Sequence, residues 1–458
     1  MTARKFFILA AVLMAVSFVT RAQDSTDKDF IEHKVKWYED IETISKLYGV
    51  PEEVIVIINK LEDTTLHSRQ ILLIPKSEKQ WPAAGTEVAE AEDVQEAVSD
   101  ADTVQVFAAT VPERKDTVNA GLLLPFINND RSGNGNNMDF YSGVLMAVKQ
   151  AGEEGINVNL NVFDFNRDEW MQPEIGENDF IIGPVRNDDI EKALVVIRDS
   201  IPVISPLDSK AARIARSDRR LVQAASSTAE QYREIAQWAS EIGWHHSLAR
   251  YIIVGSQSDT ASLNAAVKAF EDKGLDFRFC TTGVQGEIDG WERTALPADG
   301  GGHNIAVLAI ANEAILNNAV RNMSIYASEG NVTVLTGSRI RSYETIPEEN
   351  IHKAEIHAVC PYYVDYTDAA TLDFIHRYRS FFRNEPSQFS YQGYDLAYFM
   401  ITSYSRNGKA WANTIADADK CDMLQTCIKF RKTEDGALVN SGLRRIIYRQ
   451  NYKVELEK

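Results

Sequence analysis

The stretch from Asp179 to Asp208 constrains the fold of this chain more than any other. A short apolar run ends at Gly183-Pro184, a segment with apolar residues at helical spacing follows, and a second apolar run ends at Ser205-Pro206. This order predicts a strand, a crossover helix and a second, parallel strand. Neither strand alternates between apolar and polar residues, which is typical of strands covered by helices on both faces.

The ends of these two strands are where we expect a small-molecule site, because ligands of open parallel sheets sit at the carboxyl ends of the strands. The loops there predict six ligand-binding residues, namely Val185, Arg186, Asn187, Ser205, Asp208 and Ser209. Arg186 could hold an anion by a bidentate contact or could be a solvated surface charge. The sequence leaves both interpretations open.

The first 22 residues differ from the rest of the chain. Arg4 and Lys5 precede an almost wholly apolar segment from Phe6 to Val19, and Thr20-Arg21-Ala22 offers a cleavage site. This pattern predicts a secretory signal peptide over residues 1–22, with an uncleaved anchor as the alternative. We therefore expect an exported, periplasmic protein of the cell envelope, with no membrane span after signal cleavage.

Charge and side-chain chemistry exclude several classes of function. The formal net charge of −18 argues against nucleic acid or an anionic membrane surface as a partner. No cysteine pair has metal-ligand spacing, and no nucleophile elbow or zinc-protease motif occurs, so we predict no enzyme, no metal and no cofactor. Cys421 and Cys427 lie six residues apart, which is compatible with a disulfide or with two free thiols.

Residues 32–76 predict a compact unit with the order strand, helix, helix, strand. Lys34 to Tyr38 alternates like a strand, Asp40 and Pro51 begin the helices, and Gln70 to Ile74 closes the unit. Each helix has one apolar face, formed by Ile41, Ile44, Leu47 and Tyr48 in the first and by Val54, Ile57, Ile58 and Leu61 in the second.

This unit resembles the lysin motif, LysM. The residues that match are His33, Val35, Glu39, Ile41, Ile44, Tyr48-Gly49-Val50, Ile58-Asn59, Leu61, Leu66, Gln70 and Ile74-Pro75. The resemblance implies binding of N-acetylglucosamine units of peptidoglycan or chitin in a shallow groove. The glycan-binding residues that it implies are Tyr38, Glu39, Asp40, Ile41 and Asn59.

Two departures from the LysM pattern place extra side chains beside this groove. Tyr38 stands where the family usually has glycine, and Ser68-Arg69 stands where it usually has Pro-Gly. A LysM fold that packs only against its own protein is the alternative to glycan binding.

Residues 77–115 predict a flexible linker. Between Glu87 and Asp102 there are seven acidic residues and no basic one, and a block of like charge repels itself. An acidic interaction tail is the alternative.

Residues 116–458 then show two runs of alternating strand and helix, which predict two doubly wound α/β lobes with a cleft between them. The tail from Arg444 to Glu455 alternates like one strand.

The second region resembles the type I periplasmic-binding fold, most closely its branched-chain amino-acid receptors. The carrying residues are Gly121-Leu122-Leu123-Leu124-Pro125, Asp139-Phe140, Gly143, Ala147, Ile182-Gly183-Pro184, Ile201-Pro202-Val203-Ile204-Ser205-Pro206 and Tyr391-Gln392-Gly393-Tyr394-Asp395. The resemblance implies two lobes that close over a small ligand across a hinge of crossing strands.

The resemblance also implies where an amino acid would bind. Family receptors usually place hydroxyl groups after the Gly-Pro turn and an acid before the first helix of the second lobe. This chain has Val185-Arg186-Asn187 at the first position and Ala225-Ser226-Ser227-Thr228 at the second. Without the acid, a buried ligand amino group would have no partner, which disfavours an amino-acid transport receptor.

The sequence therefore predicts a non-enzymatic envelope protein. Its LysM unit would bind peptidoglycan, and its larger region would bind a ligand or a cell-wall synthase, as in the relatives of this fold that activate penicillin-binding proteins. Such a protein would regulate cell-wall synthesis. The alternative is a solute-binding receptor of an ABC-type transporter for a small molecule other than a standard amino acid.

Overall fold

A computed structural model describes residues 30–35, 41–59, 61, 71–76, 112–127, 133–197, 200–215 and 218–457. The predicted signal peptide and most of the predicted linker lie outside these residues. The chain divides into two compact units, Met1–Asp100 and Ala101–Lys458, and each is described by itself.

The N-terminal unit has the predicted order of elements. These are strand β1 (Phe30–Lys34), helices α1 (Ile41–Tyr48) and α2 (Glu52–Asn59), and strand β2 (Ile71–Pro75). The two strands pair antiparallel, from Phe30 opposite Pro75 to Lys34 opposite Ile71. The prediction placed β1 four residues too late, because the short alternation from Lys34 to Tyr38 does not fix where pairing begins.

One residue of each predicted apolar helix face is exposed rather than buried. Ile41, Ile44 and Ile55 are buried against β2, whereas Leu47 is 61% exposed and Ile57 is 58% exposed. Residues two apart on a helix face different ways, so burial of Ile55 turns Ile57 towards solvent.

The first lobe of the larger unit is a sheet covered by helices. Its elements are β3 (Thr117–Leu124), α3 (Gly135–Glu153), β4 (Asn157–Asp164), β5 (Phe180–Ile182), α4 (Asn187–Val196), β6 (Val203–Ser205), α5 (Ala212–Ala215) and β7 (Leu221–Gln223). These strands are parallel and lie in the order β4-β3-β5-β6-β7. Ile181 and Ile182 point into hydrophobic clusters on opposite faces of the sheet, which explains why the strand does not alternate.

The second lobe repeats this plan. Its elements are α6 (Thr228–Trp244), β8 (Ala249–Gly255), α7 (Thr260–Lys273), β9 (Phe277–Thr281), α8 (Trp291–Thr294), β10 (His303–Leu308), α9 (Glu313–Tyr326), β11 (Val332–Gly337), α10 (Glu348–Lys353) and β12 (His357–Cys360). The parallel strands lie in the order β9-β8-β10-β11-β12. Both lobes are therefore doubly wound sheets with the same strand order.

The remaining chain completes both lobes. It forms α11 (Ala369–Phe382), α12 (Gln388–Asn407), α13 (Trp411–Thr414), β13 (Cys421–Asp422), β14 (Cys427–Ile428), β15 (Phe430–Lys432), β16 (Leu438–Asn440), β17 (Arg444–Tyr448) and β18 (Val454–Glu457). β16 joins the first sheet beside β7, and β17 joins the second beside β12. The tail predicted as one strand is thus an antiparallel hairpin, whose turn contains Tyr452 at a positive φ of 62°.

Three segments cross between the lobes. They join β7 to α6, β12 to α11 and β16 to β17. These crossings lie where the resemblance implies a hinge. The last residues of the predicted linker are part of the larger unit, since the Lys115 backbone N–H donates to the Ser405 carbonyl on α12 at 2.7 Å.

Helices α3 and α12 cross at two glycines. A Cβ atom on Gly143 would lie 1.9 Å from the Ser390 carbonyl oxygen, and one on Gly393 would lie 2.0 Å from the Phe140 carbonyl oxygen. Only glycine allows two backbones to approach this closely. The crossing holds α12 against the first lobe, with Phe140, Val144, Leu396 and Met400 packed in one core cluster.

Candidate functional site

A cavity of about 420 Å³ lies at the carboxyl ends of β5 and β6. Its walls are Val185, Arg186, Asn187, Asp188, Leu207, Asp208 and Ser209. Five of the six predicted ligand-binding residues therefore line one cavity. The prediction did not include Asp188, which follows the first loop in α4, or Leu207, which lies within the second loop.

Ser205 is the exception among the six. Its side chain is fully buried, and its hydroxyl has no hydrogen-bond partner among the described residues. It does not line the cavity. The residue ends β6 directly before Pro206, and side chains on that strand point into the two faces of the sheet rather than past its end.

Gly183 gives this end of the sheet its shape. Its φ of 102° lies in the region that favours glycine, and a Cβ atom there would lie 2.0 Å from the Leu123 carbonyl oxygen. The close approach brings the end of β5 against the end of β3 before the chain turns through Pro184 into α4. The Gly-Pro turn thus positions Val185 and Arg186 at the cavity.

The charges at the cavity are mixed. Arg186 is exposed, and no ion pair joins it to another described residue. It occupies the N-cap of α4 without a side-chain cap, so the first N–H groups of that helix point towards the cavity end. Asp208 is partly engaged, because its Oδ1 accepts a hydrogen bond from the Lys210 N–H at 2.7 Å.

On the second lobe, the stretch that replaces the expected acid has a structural role. The Ser226 hydroxyl donates to the Gly442 carbonyl at 3.0 Å, which joins two crossings of the hinge. Ser227 caps α6 by accepting from the Glu230 N–H at 3.2 Å. Both hydroxyls thus bond the protein itself, and Ser226 is buried.

Glu230 lies in the first turn of α6, but its carboxylate is bonded to arginines and not to a ligand site. Its side chain is nearly buried and accepts hydrogen bonds from Arg233 at 2.5 Å and from Arg431 at 3.1 Å. Burial raises the pKa of Glu230, but the bonds from Arg431 and Arg233 outweigh it and leave the pKa below the usual 4.5. Because Arg431 is on β15 of the first sheet, this ion pair links the two lobes.

We expect Arg431→Gln to reduce the free energy of unfolding by about 2 kcal/mol, because the buried Glu230 carboxylate keeps Arg233 but loses one of its two arginine partners. A folded pKa below the unfolded one means that the carboxylate stabilises the fold above pH 4.5, and this contribution is lost as the pH falls through the folded pKa. Urea titrations at pH 7 and pH 4 measure both effects. The matched control is Arg293→Gln, whose side chain is 82% exposed; equal stability of the two variants contradicts the assignment.

The hinge itself leaves little space for a ligand. Ala224, Tyr362 and Asn440, which come from the three crossings or their flanks, surround a cavity of only about 20 Å³. This volume holds about one water molecule. Gln392 also lines it, and its Oε1 has no partner among the described residues. A ligand of amino-acid size does not fit at this point of the cleft.

In the N-terminal unit, Tyr38, Glu39 and Asp40 lie outside the described residues. Ile41 is buried in the core, and the Asn59 amide bonds the backbone of its neighbours. Its Nδ2 donates to the carbonyls of Ile55 and Leu73, both at 2.9 Å, and its Oδ1 accepts from the Leu73 N–H at 2.7 Å. Both side chains thus have structural partners, and their contact with a sugar stays a prediction.

The described residues contain no group of three or more histidine, cysteine, aspartate and glutamate side chains that could hold a metal ion. Within the same residues, none of the helices is long and apolar enough to span a membrane.

All four cysteines are free thiols. Cys421 pairs with Ile428 and Asp422 pairs with Cys427 across the β13–β14 hairpin. Residues directly opposite share a face of the hairpin, so Cys421 and Cys427 point to opposite faces and form no disulfide.

Comparison with known proteins gives structural matches alone. No family model matches the sequence, and no curated protein matches it. A putative branched-chain amino acid ABC transporter from Rhodospirillum rubrum is similar in structure, with a TM-score of 0.53 and 16% identity over 74% of this chain and 100% of that one. LpoA from Haemophilus influenzae gives a TM-score of 0.49 and 13% identity over 76% of this chain and 60% of that one.

The architecture and the first of these matches define the class. Two lobes of mostly parallel strands, joined by three crossings, have the type I periplasmic-binding-protein fold. The fold predicted from the Gly-Pro and strand-end motifs is confirmed. At this level of identity the match establishes the fold and leaves the ligand open.

Proposed function

We propose that this chain is a non-enzymatic, periplasmic protein of the cell envelope that binds peptidoglycan through its N-terminal unit and a partner protein through its larger unit. The partner class is a cell-wall synthase, whose activity the binding would regulate. One observation carries the second half of this proposal. The groups that would hold an amino acid in the cleft are absent or already bonded.

Three features support that observation. Ser226 and Ser227 bond the hinge and the α6 backbone, and Glu230 pairs with arginines. The cavity among the crossings has room for about one water molecule. The cavity at β5 and β6 is open, and its described walls come from the first lobe alone. A cleft with these properties favours contact with a protein surface over enclosure of a metabolite.

The proposal for the N-terminal unit rests on its strand–helix–helix–strand order and on the residues that resemble LysM. The antiparallel pair of β1 and β2, with α1 and α2 packed on it, has its own hydrophobic core. Such a unit of under about 50 residues is near the lower size for an independent fold. It can therefore act as a separate binding module.

The alternative function is a solute receptor for a small anion. Arg186 favours it, because an exposed guanidinium without an ion pair among the described residues stands at the uncapped start of α4. A helix N-terminus and a guanidinium both favour negative charge. In this case, thermal shift with inorganic phosphate or a small dicarboxylate raises the melting temperature of the protein, and Arg186→Gln abolishes the shift.

The glycan half is tested by sedimentation with purified peptidoglycan. We expect the chain from Gln23 onwards to sediment with the polymer and a variant lacking Gln23 to Pro75 to stay in solution. Tyr38→Gly restores the glycine that is usual in LysM, and we expect it to increase the sedimented fraction. The matched control is Leu47→Ser, an exposed position on α1 outside the predicted groove. If the full chain stays in solution, the proposed tether is wrong.

A further inference from the structure

A second cavity, of about 490 Å³, lies away from the loops at β5 and β6. It is bounded by α12 and the β13–β14 hairpin, which belong to the first lobe, and by β17 and β18 of the second sheet. Small-molecule sites usually have volumes of roughly 300–1,000 Å³ and mainly apolar walls with a few polar groups. This cavity has a volume within that range, but charged side chains form a larger share of its walls.

Part of its wall is aromatic and apolar. Tyr394 and Tyr398 lie one turn apart on α12, with ring centroids 5.7 Å apart and planes within 4° of parallel. Met423, Leu424 and Leu456 add aliphatic surface. The Tyr398 hydroxyl donates to Glu154, whereas the Tyr394 hydroxyl forms no hydrogen bond with a described residue. The walls therefore suit an apolar side chain with a polar group beside it.

Arg444 gives the cavity a buried cationic donor. Its side chain is only 4% exposed, and its Nη2 donates to the carbonyls of Met423 and Thr426, which fixes the guanidinium plane. Its Nε has no hydrogen-bond partner among the described residues. Nε is enclosed by protein and cannot reach a ligand, but Nη1 of this cavity-lining guanidinium forms no hydrogen bond with a described residue and can meet a bound acceptor, above all a carboxylate. Lys420 lines the same cavity and is half-exposed.

Carboxylate groups also line the cavity. Asp365, Asp368, Asp422 and Glu457 also line the cavity, so its acidic groups outnumber Arg444 and Lys420. Each of these acids already has a partner, since Asp365 accepts from Thr367, Asp368 caps α11, Asp422 lies 3.9 Å from Lys420 and Glu457 lies 3.5 Å from Arg445. Their summed field nevertheless favours a cation at the rim.

We propose that this cavity binds a short peptide with free termini. Its carboxylate meets Arg444 and Lys420, its ammonium lies among the rim carboxylates, and its apolar side chain packs on the rings of Tyr394 and Tyr398. Because the walls come from both lobes, an occupied site joins the lobes on the side of the hinge. This site is separate from the cavity at Arg186 and does not depend on the function proposed above.

Calorimetric titration of the chain from Gln23 onwards tests the proposal. The probes are the dipeptide alanyl-phenylalanine, its C-terminal amide and its N-acetyl derivative. We expect the free dipeptide to bind and each blocked form to bind at least about tenfold more weakly, because each block removes one charge-assisted contact. Absence of binding by the free dipeptide, or equal affinity for all three probes, overturns the proposal.

Variants then locate the site. Arg444→Gln is expected to weaken dipeptide binding by about tenfold or more. Arg444 also supports two backbone carbonyls, so Lys420→Gln, which leaves those bonds intact, provides an independent readout, with a loss of about threefold or more. Arg186→Gln is the matched control and should leave the affinity unchanged. Loss of binding in that control, or unchanged binding in both cavity variants, assigns the dipeptide to another site and refutes the proposal.

Discussion

Gly143→Ala is expected to reduce the free energy of unfolding by about 3 kcal/mol and to lower the melting temperature by roughly 4 °C. The new methyl group would lie 1.9 Å from the Ser390 carbonyl oxygen, in the backbone of a neighbouring helix that cannot rotate away. The helices must separate, and this opens the core formed by Phe140 and Leu396. Circular dichroism melting curves measure the change.

The same helix provides the control for this experiment. Gly152 is also within α3, but a Cβ atom there would meet nothing within 4 Å. Gly152→Ala is therefore expected to be neutral or slightly stabilising, since alanine has the higher helix propensity. Gly393→Ala should resemble Gly143→Ala, and the double variant should lose less than the sum, because both disrupt one crossing. Equal stability of Gly143→Ala and Gly152→Ala contradicts the close approach.

Asp395→Ala is expected to reduce the free energy of unfolding by about 4 kcal/mol, which is the second large effect. The buried carboxyl group accepts the N–H groups of Leu424, Gln425 and Thr426 at 2.8–3.0 Å and the Thr426 hydroxyl at 2.9 Å. Alanine would leave these donors without partners inside the protein. Urea titration gives the free energy, and Asp373→Ala, whose side chain is 68% exposed, is the matched control.

The pH dependence of this variant gives an independent check. Burial raises the pKa of Asp395 to about 6, although the hydrogen bonds that it accepts oppose the shift. A folded pKa above the unfolded value means that protonation stabilises the fold below about pH 4 and that this contribution is lost as the pH rises through 6. The decrease in the free energy of unfolding caused by Asp395→Ala should therefore be larger at pH 5 than at pH 8. The opposite trend would show that the carboxylate form is the one the loop stabilises.

The strand–helix–strand stretch could be predicted because each of its signals is local. Apolar runs, helical spacing and the Gly183-Pro184 turn give element type and direction, and parallel strands then bring their carboxyl ends to one edge. Val185 and Asp208 meet in one cavity for that reason. The side chain of Ser205 could not be placed in this way, because whether the last strand residue points past the end or into a face depends on the register with its neighbours.

Features that depend on contacts between residues far apart in the chain could not be predicted from the sequence. The hairpin turn at Tyr452 divides an alternating tail whose period is the same on both sides. The interlobe pair of Glu230 and Arg431 joins residues 201 positions apart, and nothing in either neighbourhood indicates the other. Arg444 lies in a strand whose pattern predicts β structure but says nothing of the hairpin that meets it. Local patterns specify elements, whereas packing decides which side chains meet.

The three crossings also determine when each lobe can be finished. The first sheet needs β15 and β16, and the second needs β17 and β18, so both need residues from the last thirty of the 458. A chain emerging from its N-terminus exposes an open β7 edge and an open β12 edge until those residues arrive. Unpaired edges favour association with other chains. A premature stop before Phe430 therefore leaves two unfinished sheets, and aggregation or proteolysis is the expected fate of such a product.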